Sequence, residues 1–323
     1  MEQVELAPII LFAYNRPWHT EQTLNALTLN HLSEKSTLYI NVDGPKENAT
    51  VEQIEKIKLV REIVGKKKWC KNVIIKVAEK NVSCRKSVIM EVTRLLSENE
   101  SLIILEDDVV TSPYFLTYMN KALNYYKERR SVFSISAHCP PPEKVIIPED
   151  YEYDVYASPR IFNWGWGTWA DRWHQVDWDK SFIPEFAKKK YQVQAFHRGG
   201  EDMTRMLIDE YEGKTDVWDA QFSYVHFANY ALSIVPCLSY TKNIGLDGTG
   251  LHCSINTNDS TDISKAKENP RFIDTLYLDS RIMNSIYSYF YPKKRALWKK
   301  IINRISRIIS GKNVFIIKKK TFC

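Results

Sequence analysis

Two rhythms of apolar and polar positions alternate along the first 139 residues. Short apolar runs bounded by turn formers read as buried strands: APIILFAYN (7–15), STLYINVDGP (36–45), NVIIKVAEKN (72–81), SLIIL (101–105) and SVFSISAH (131–138). Between them, apolar residues recur at helical spacing, with Leu24 and Leu27 at i, i+3, and then over 51–66, 84–97 and 112–129. This strand–helix alternation predicts an α/β fold, a doubly wound and mostly parallel sheet flanked by helices. Such sheets bind ligands beyond the carboxyl ends of their strands. The runs end there in polar groups, at Asn15-Arg16, Asp43-Gly44, Asn81 and Glu106-Asp107-Asp108. Four polar ends on one edge make a candidate site.

After about residue 139 the alternation breaks down. CPPPEKVIIPEDY is rich in proline, and stretches rich in Trp or Gly follow at 162–173 and 243–253. No internal repeat is found. This half reads as an extension of the same domain that caps the site, not as an independent domain.

The acidic triplet needs a physical reason, because SLIILEDDVV drives a dry strand straight into three carboxylates. Adjacent carboxylates repel one another and are costly to desolvate without a cation. A hard divalent ion such as Mn²⁺ or Mg²⁺ takes carboxylate oxygens and keeps positions open for phosphate oxygens. The other reading is a solvated acidic loop, or a cap for a helix beginning near Thr111 and Ser112.

Composition narrows the class. With 323 residues and 44% hydrophobic content the chain can bury a real core, which excludes disordered and fibrous classes. The net charge of +6 is uneven. Residues 280–323 hold twelve Lys or Arg and no acid, which leaves residues 1–279 at −6. An acidic body argues against nucleic acid as a partner. The six cysteines are scattered without a CxxC pair and read as free thiols. No run of 18 apolar residues exists, and the acidic start MEQVELAPII has no signal-peptide pattern, so the expected location is the cytosol.

Taken together, PIILFAYNRP, a strand ending in DGP, the block ILEDDVVTSPYFLTYMNKAL and a later Trp-Asp motif resemble GT-A-fold glycosyltransferases. The similarity is to the N-acetylglucosaminyltransferase I type and to related bacterial surface-polysaccharide sugar transferases, over about residues 7–253. The resemblance implies a GT-A domain over 1–279, with a nucleotide-sugar half at about 1–139 and an acceptor half at about 140–279. It makes the triplet a variant of the DxD motif. Asp108 then binds Mn²⁺ or Mg²⁺ bridging the donor diphosphate, while Glu106 and Asp107 face the donor sugar and ribose. Arg16 and Asp43 hold the nucleoside, and Arg85 in NVSCRKS makes a further donor contact. Surface ion pairs for the two arginines, and a turn role for Asp43 before Gly44, stay open.

A direct displacement by an acceptor hydroxyl needs one more carboxylate as general base. The family keeps its base in a Trp-Asp segment, which points to Asp219 in KTDVWDAQF, with Asp216 as second choice. The eukaryotic members have two acids after the Trp, whereas Ala220 stands second here. A helix cap is the alternative role for Asp219. In NWGWGTWADRW, Trp166 is the candidate to stack on a sugar, against a tryptophan-packed core turn. His252, after the glycines of NIGLDGTGLHC, is the candidate for the metal or diphosphate, against an ordinary packed histidine. The implied reaction is a metal-dependent, inverting transfer from a nucleotide diphosphate sugar, UDP-linked, to a surface polysaccharide or lipopolysaccharide intermediate. The rivals are a non-catalytic carbohydrate-binding protein on the same fold and a sugar nucleotidyltransferase. The latter usually carries a Gly-rich loop that AYNRPWHT lacks.

Finally, KKRALWKKIINRISRII (293–309) places Leu297, Trp298, Ile301, Ile302, Ile305, Ile308 and Ile309 on one helical face and bases on the other. That pattern predicts a C-terminal basic amphipathic helix lying on an anionic membrane, peripheral to the inner face of the cytoplasmic membrane, a location that a lipid-linked glycan acceptor would explain. The alternative is a terminal helix docked on the acidic body.

Overall fold

A computed structural model describes residues 6–248, 260–290 and Arg304. The expected tail helix at 293–309, apart from Arg304, lies outside the described residues, as does His252.

In the first half the chain runs β1 (Ile9–Ala13), α1 (Pro17–Thr28), β2 (Thr37–Val42), α2 (Val51–Gly65), β3 (Asn72–Val77), α3 (Cys84–Leu96) and β4 (Ser101–Glu106). Pro17 opens α1, where its missing N–H is no loss, and Thr50 with Gln53 closes a capping box on α2. Then follow β5 (Val109–Thr111), α4 (Phe115–Tyr126) and β6 (Val132–Ser136). Helix α4 starts later than the expected residue 112. Residues 109–111 are held extended by antiparallel pairing with a later strand, and Ser112 N–H still donates to Tyr240 O.

The second half contributes β7 (Val155–Ser158), β8 (Trp166–Trp169), α5 (Ala170–Trp173), α6 (Ile183–Lys188), α7 (Lys190–Phe196), α8 (Asp202–Tyr211), α9 (Asp219–Ala228), β9 (Leu232–Pro236), β10 (Thr241–Asn243) and α10 (Ser280–Phe290). Strands β7, β8 and β9 enter the same sheet, whose order is β3-β2-β1-β4-β8-β6-β9-β7, while β10 pairs with β5 in a separate two-stranded sheet. Six of these eight strands point one way, and β7 and β8 run against them. The fold is α/β with a large, mostly parallel central sheet flanked by helices.

Strands β1 and β4 are fully apolar through their centres because both faces are covered, as parallel strands require. Chain order reverses between them: β2 and β3 build outward from one side of β1, and β4 returns on the other. The carboxyl ends of β1 and β4 therefore flank a crevice at a topological switch point. Helix α10 buries Ile282, Ile286 and Phe290 against Tyr156, Phe162 and Val235, and the Arg160 guanidinium lies 3.7 Å over the Phe290 ring.

Candidate functional site

The crevice is built from two strand ends. Just after β1, Arg16 points across the switch point to the residues just after β4. Its Nη2 lies 2.5 Å from Asp107 Oδ1 and 2.9 Å from Asp108 Oδ2. Asp107 also accepts from the Tyr14 backbone N–H at 3.3 Å, and its carbonyl accepts from Thr23 Oγ1 at 2.9 Å. Both aspartates are 4% exposed. Asp108 Oδ1 is buried and has no hydrogen-bond partner among the described residues. Burial works against the Arg16 charge, but Asp107 and Asp108 outweigh it and hold the guanidinium firmly protonated. Burial raises the Asp107 carboxyl despite Arg16, and repulsion by Asp108 adds to the rise. Glu106, half-buried at the end of β4, is pushed up to about 8 by burial and by Asp108, Asp107 and Asp219, against Arg16. One cation does not neutralise this cluster.

A second wall faces it. Asp219 opens α9 and accepts from Asn163 Nδ2 at 3.2 Å, with Asp216 in the loop just before. Cys84, the first residue of α3, is open to the crevice yet crowded by protein atoms. That crowding, then the charges of Glu106, Asp216, Asp219 and Asp107, pushes its thiol up. The charges of Glu106, Asp107, Asp216 and Asp219 are thus all felt at one thiol.

Other expected residues are placed differently. Trp166 is 1% exposed and stacks on Trp218 with ring centroids 4.6 Å apart, in a cluster with Trp173 and Phe222. It has no free face for a sugar, so the stacking expectation is corrected: Trp166 is a core residue behind the start of α9. Arg85 is engaged by its own chain, with Nε 2.8 Å from Glu210 and Nη2 donating to Gln221 Oε1 at 2.5 Å and to Trp178 O at 3.2 Å. Asp43 accepts from Gly44 N–H, Val82 N–H and Asn81 Nδ2 at 2.8–2.9 Å, tying the end of β2 to the segment after β3.

Several residues of this site escaped the sequence reading. Tyr14 follows the first apolar run directly and was legible as part of that strand's polar end. Burial, then Asp43, raises its hydroxyl. Cys84 opens a helix after a strand, a position that could have been flagged. Asn163 and Glu210 carry no local signal. Their roles come from packing alone.

Among the described residues no three His, Cys, Asp or Glu side chains form a group that could cage a metal ion. A site completed by one carboxylate, water and substrate phosphates is a different case, and Mg²⁺-type ions commonly bind that way. Asp108, buried and with one orphaned oxygen, fits that requirement.

Neither a family model nor a curated protein matches this sequence. Solved structures show limited similarity to this chain. Similarity to TarS 1–349 of S. aureus has a TM-score of 0.38 at 11% identity, over 73% of this chain and 60% of that one. Similarity to a UDP-glucose pyrophosphorylase complexed with UDP-glucose has a TM-score of 0.36 at 12% identity, over 74% and 92%. For the 4-diphosphocytidyl-2C-methyl-D-erythritol synthase of Anaerococcus prevotii DSM 20548 the values are 0.36 and 10%, over 71% and 88%. This chain spans about three-fifths of the length of TarS 1–349.

Proposed function

We propose that this protein is a GT-A-type glycosyltransferase that takes a sugar from a nucleotide diphosphate sugar and passes it to a glycan or lipid-linked glycan. The observation that carries the reading is the switch-point crevice. On one wall a buried aspartate with an orphaned oxygen sits beside an arginine, and on the other a carboxylate opens a helix. The first wall suits a diphosphate and its counter-ion, and the second suits a proton acceptor.

In this mechanism Arg16 binds the donor diphosphate end, and Asp108 is the residue that would hold a divalent cation. When bound, that cation neutralises the charge developing on the leaving diphosphate. Asp219 takes the proton of the acceptor hydroxyl as its oxygen bonds to the anomeric carbon. The bond from that carbon to the diphosphate oxygen breaks, its electron pair leaves with the nucleoside diphosphate, and the configuration inverts. Asn163 orients the Asp219 carboxylate for this transfer. Tyr14 and Asp43, at the ends of β1 and β2, flank the space for the nucleoside. The resemblance of the sequence favours UDP as the nucleotide and a surface polysaccharide or lipopolysaccharide intermediate as the acceptor.

The test is a thermal-shift screen of nucleotide sugars with and without Mn²⁺, run on the wild type and on Asp108→Asn. A true donor raises the apparent stability by mass action. The expected result is one nucleotide sugar stabilising the wild type in a Mn²⁺-dependent way and losing that dependence in a folded Asp108→Asn. No response to any nucleotide sugar would end this reading.

A further inference from the structure

Arg16 serves two buried carboxylates at once. Its Nη2 lies 2.5 Å from Asp107 and 2.9 Å from Asp108, and each aspartate is 4% exposed. The two buried aspartates outnumber the one guanidinium between them, and Glu106 ends β4 directly beside the pair. Asp108 Oδ1 is the atom left over.

The pair is pressed from above by the segment that follows β10. Ile244 N–H donates to Asp108 O at 2.8 Å, and a Cβ on Gly245 would lie 2.1 Å from Asp108 Oδ2 and 2.6 Å from Arg16 Nη1. Backbone thus closes directly over the contact, leaving no room there for a cation beside the guanidinium. A cation reaching both Asp108 oxygens must displace Arg16 from Oδ2. Arginine can accept that exchange if a phosphate is offered, because its planar fork pairs with phosphate at least as well as with a carboxylate.

Resting on the nucleotide-sugar reading above, we infer that Arg16 is a resident counter-ion. It holds Asp108 against a divalent cation in the free protein and gives it up when a diphosphate draws the guanidinium away. Arg16 is a positioning residue in this role: it keeps the acidic pair in place before substrate arrives, and it makes cation binding depend on the donor.

The experiment uses the full chain and two probes. Mn²⁺ alone is titrated by electron paramagnetic resonance, and uridine diphosphate is titrated by calorimetry in EDTA. Arg16→Gln should bind Mn²⁺ about tenfold more tightly than wild type, within the usual range of coupling between two ligands. The same variant should bind uridine diphosphate more weakly than wild type. Opposite signs on the two probes are not what structural damage produces. Equal or weaker Mn²⁺ binding by folded Arg16→Gln overturns the inference. If the Mn²⁺ gain appears but wild type ignores uridine diphosphate, the counter-ion role stands and the nucleotide reading above fails. If Arg16→Gln does not fold, guanidinium NMR of the wild type decides. The Arg16 Nη signals should keep their ion-paired position with Mg²⁺ alone and leave it with Mg²⁺ and uridine diphosphate together, and signals that stay unchanged with both probes although uridine diphosphate binds overturn the inference.

Discussion

Glu106 faces Asp108, Asp107 and Asp219 with only Arg16 to offset them, and its carboxyl sits near 8 in the folded protein against 4.5 ordinarily. Between those two values the folded state keeps a proton that the unfolded chain releases. This group's contribution to stability is therefore full below 4.5 and is lost as pH rises toward 8. In metal-free protein Glu106→Gln should flatten that part of the Tm–pH profile, and a profile parallel to wild type would show that Glu106 titrates normally. Burial, and after it the same charge, disfavours the Cys84 thiolate. Iodoacetamide at pH 9, followed by peptide mass spectrometry, should label exposed Cys84 slowly in wild type and faster in Glu106→Gln. Across the crevice, Asp219→Asn should leave donor affinity nearly unchanged and lower kcat by about 10²-fold or more, the usual size of a general-base contribution. Wild-type turnover in that variant would move the base to Asp216.

The elements behind the second wall are joined by one buried carboxylate. Glu210, 0% exposed on α8, lies 2.8 Å from Arg85 of α3 and 2.5 Å from Lys180, and it accepts from Val217 N–H at 3.0 Å. That last bond fixes the loop between Asp216 and Asp219. Glu210→Gln keeps the shape but strands two cations, so the expected loss is about 2–4 kcal/mol of stability, tempered by the water that reaches Lys180. Guanidinium denaturation measures it, and a loss under about 0.5 kcal/mol, the usual ceiling for a surface change, would mean that the pair does not hold the loop. This network also shows where the sequence was legible. The strands and helices of the first half, and the acidic edge they create, follow from apolar runs and helical spacing that any reader of the chain can see. Arg85, by contrast, looked like a ligand contact because its partner Glu210 lies 125 positions away, and only folding reveals it. Trp166 was misread for the same reason: a Trp beside glycines suits a binding loop and a core strand equally, and the stack on Trp218 decides between them. Strand β8 itself was hidden because its four residues, WGTW, are too short for a period to show.

At the scale of the whole molecule, the sequence divides its charge between residues 1–279 at −6 and residues 280–323 at +12. No described helix is long and apolar enough to cross a membrane. Because α10 packs Ile282, Ile286 and Phe290 into the body, a fair truncation ends at Phe290, not at Asp279. If residues 293–309 lie on a membrane surface, the full chain should pellet with anionic vesicles at low salt and be released at high salt. Each base near such a surface contributes about 1 kcal/mol, and the Debye length shrinks from about 10 Å at 0.1 M to about 3 Å at 1 M. The chain ending at Phe290 should stay in the supernatant, and equal sedimentation of the two would assign the segment to the body instead.

The placement of β8 also bears on how the protein is made. β4 pairs on one side with β1 and on the other with β8, so its second edge has no partner until residues 166–169 have been synthesised. β6 waits as well, for β8 on one side and β9 on the other. At about 5–20 residues per second, the nascent chain carries a bare apolar strand edge for several seconds. The same interleaving leaves no seam at residue 139 along which the two halves could be expressed apart, or could swing open to admit a substrate.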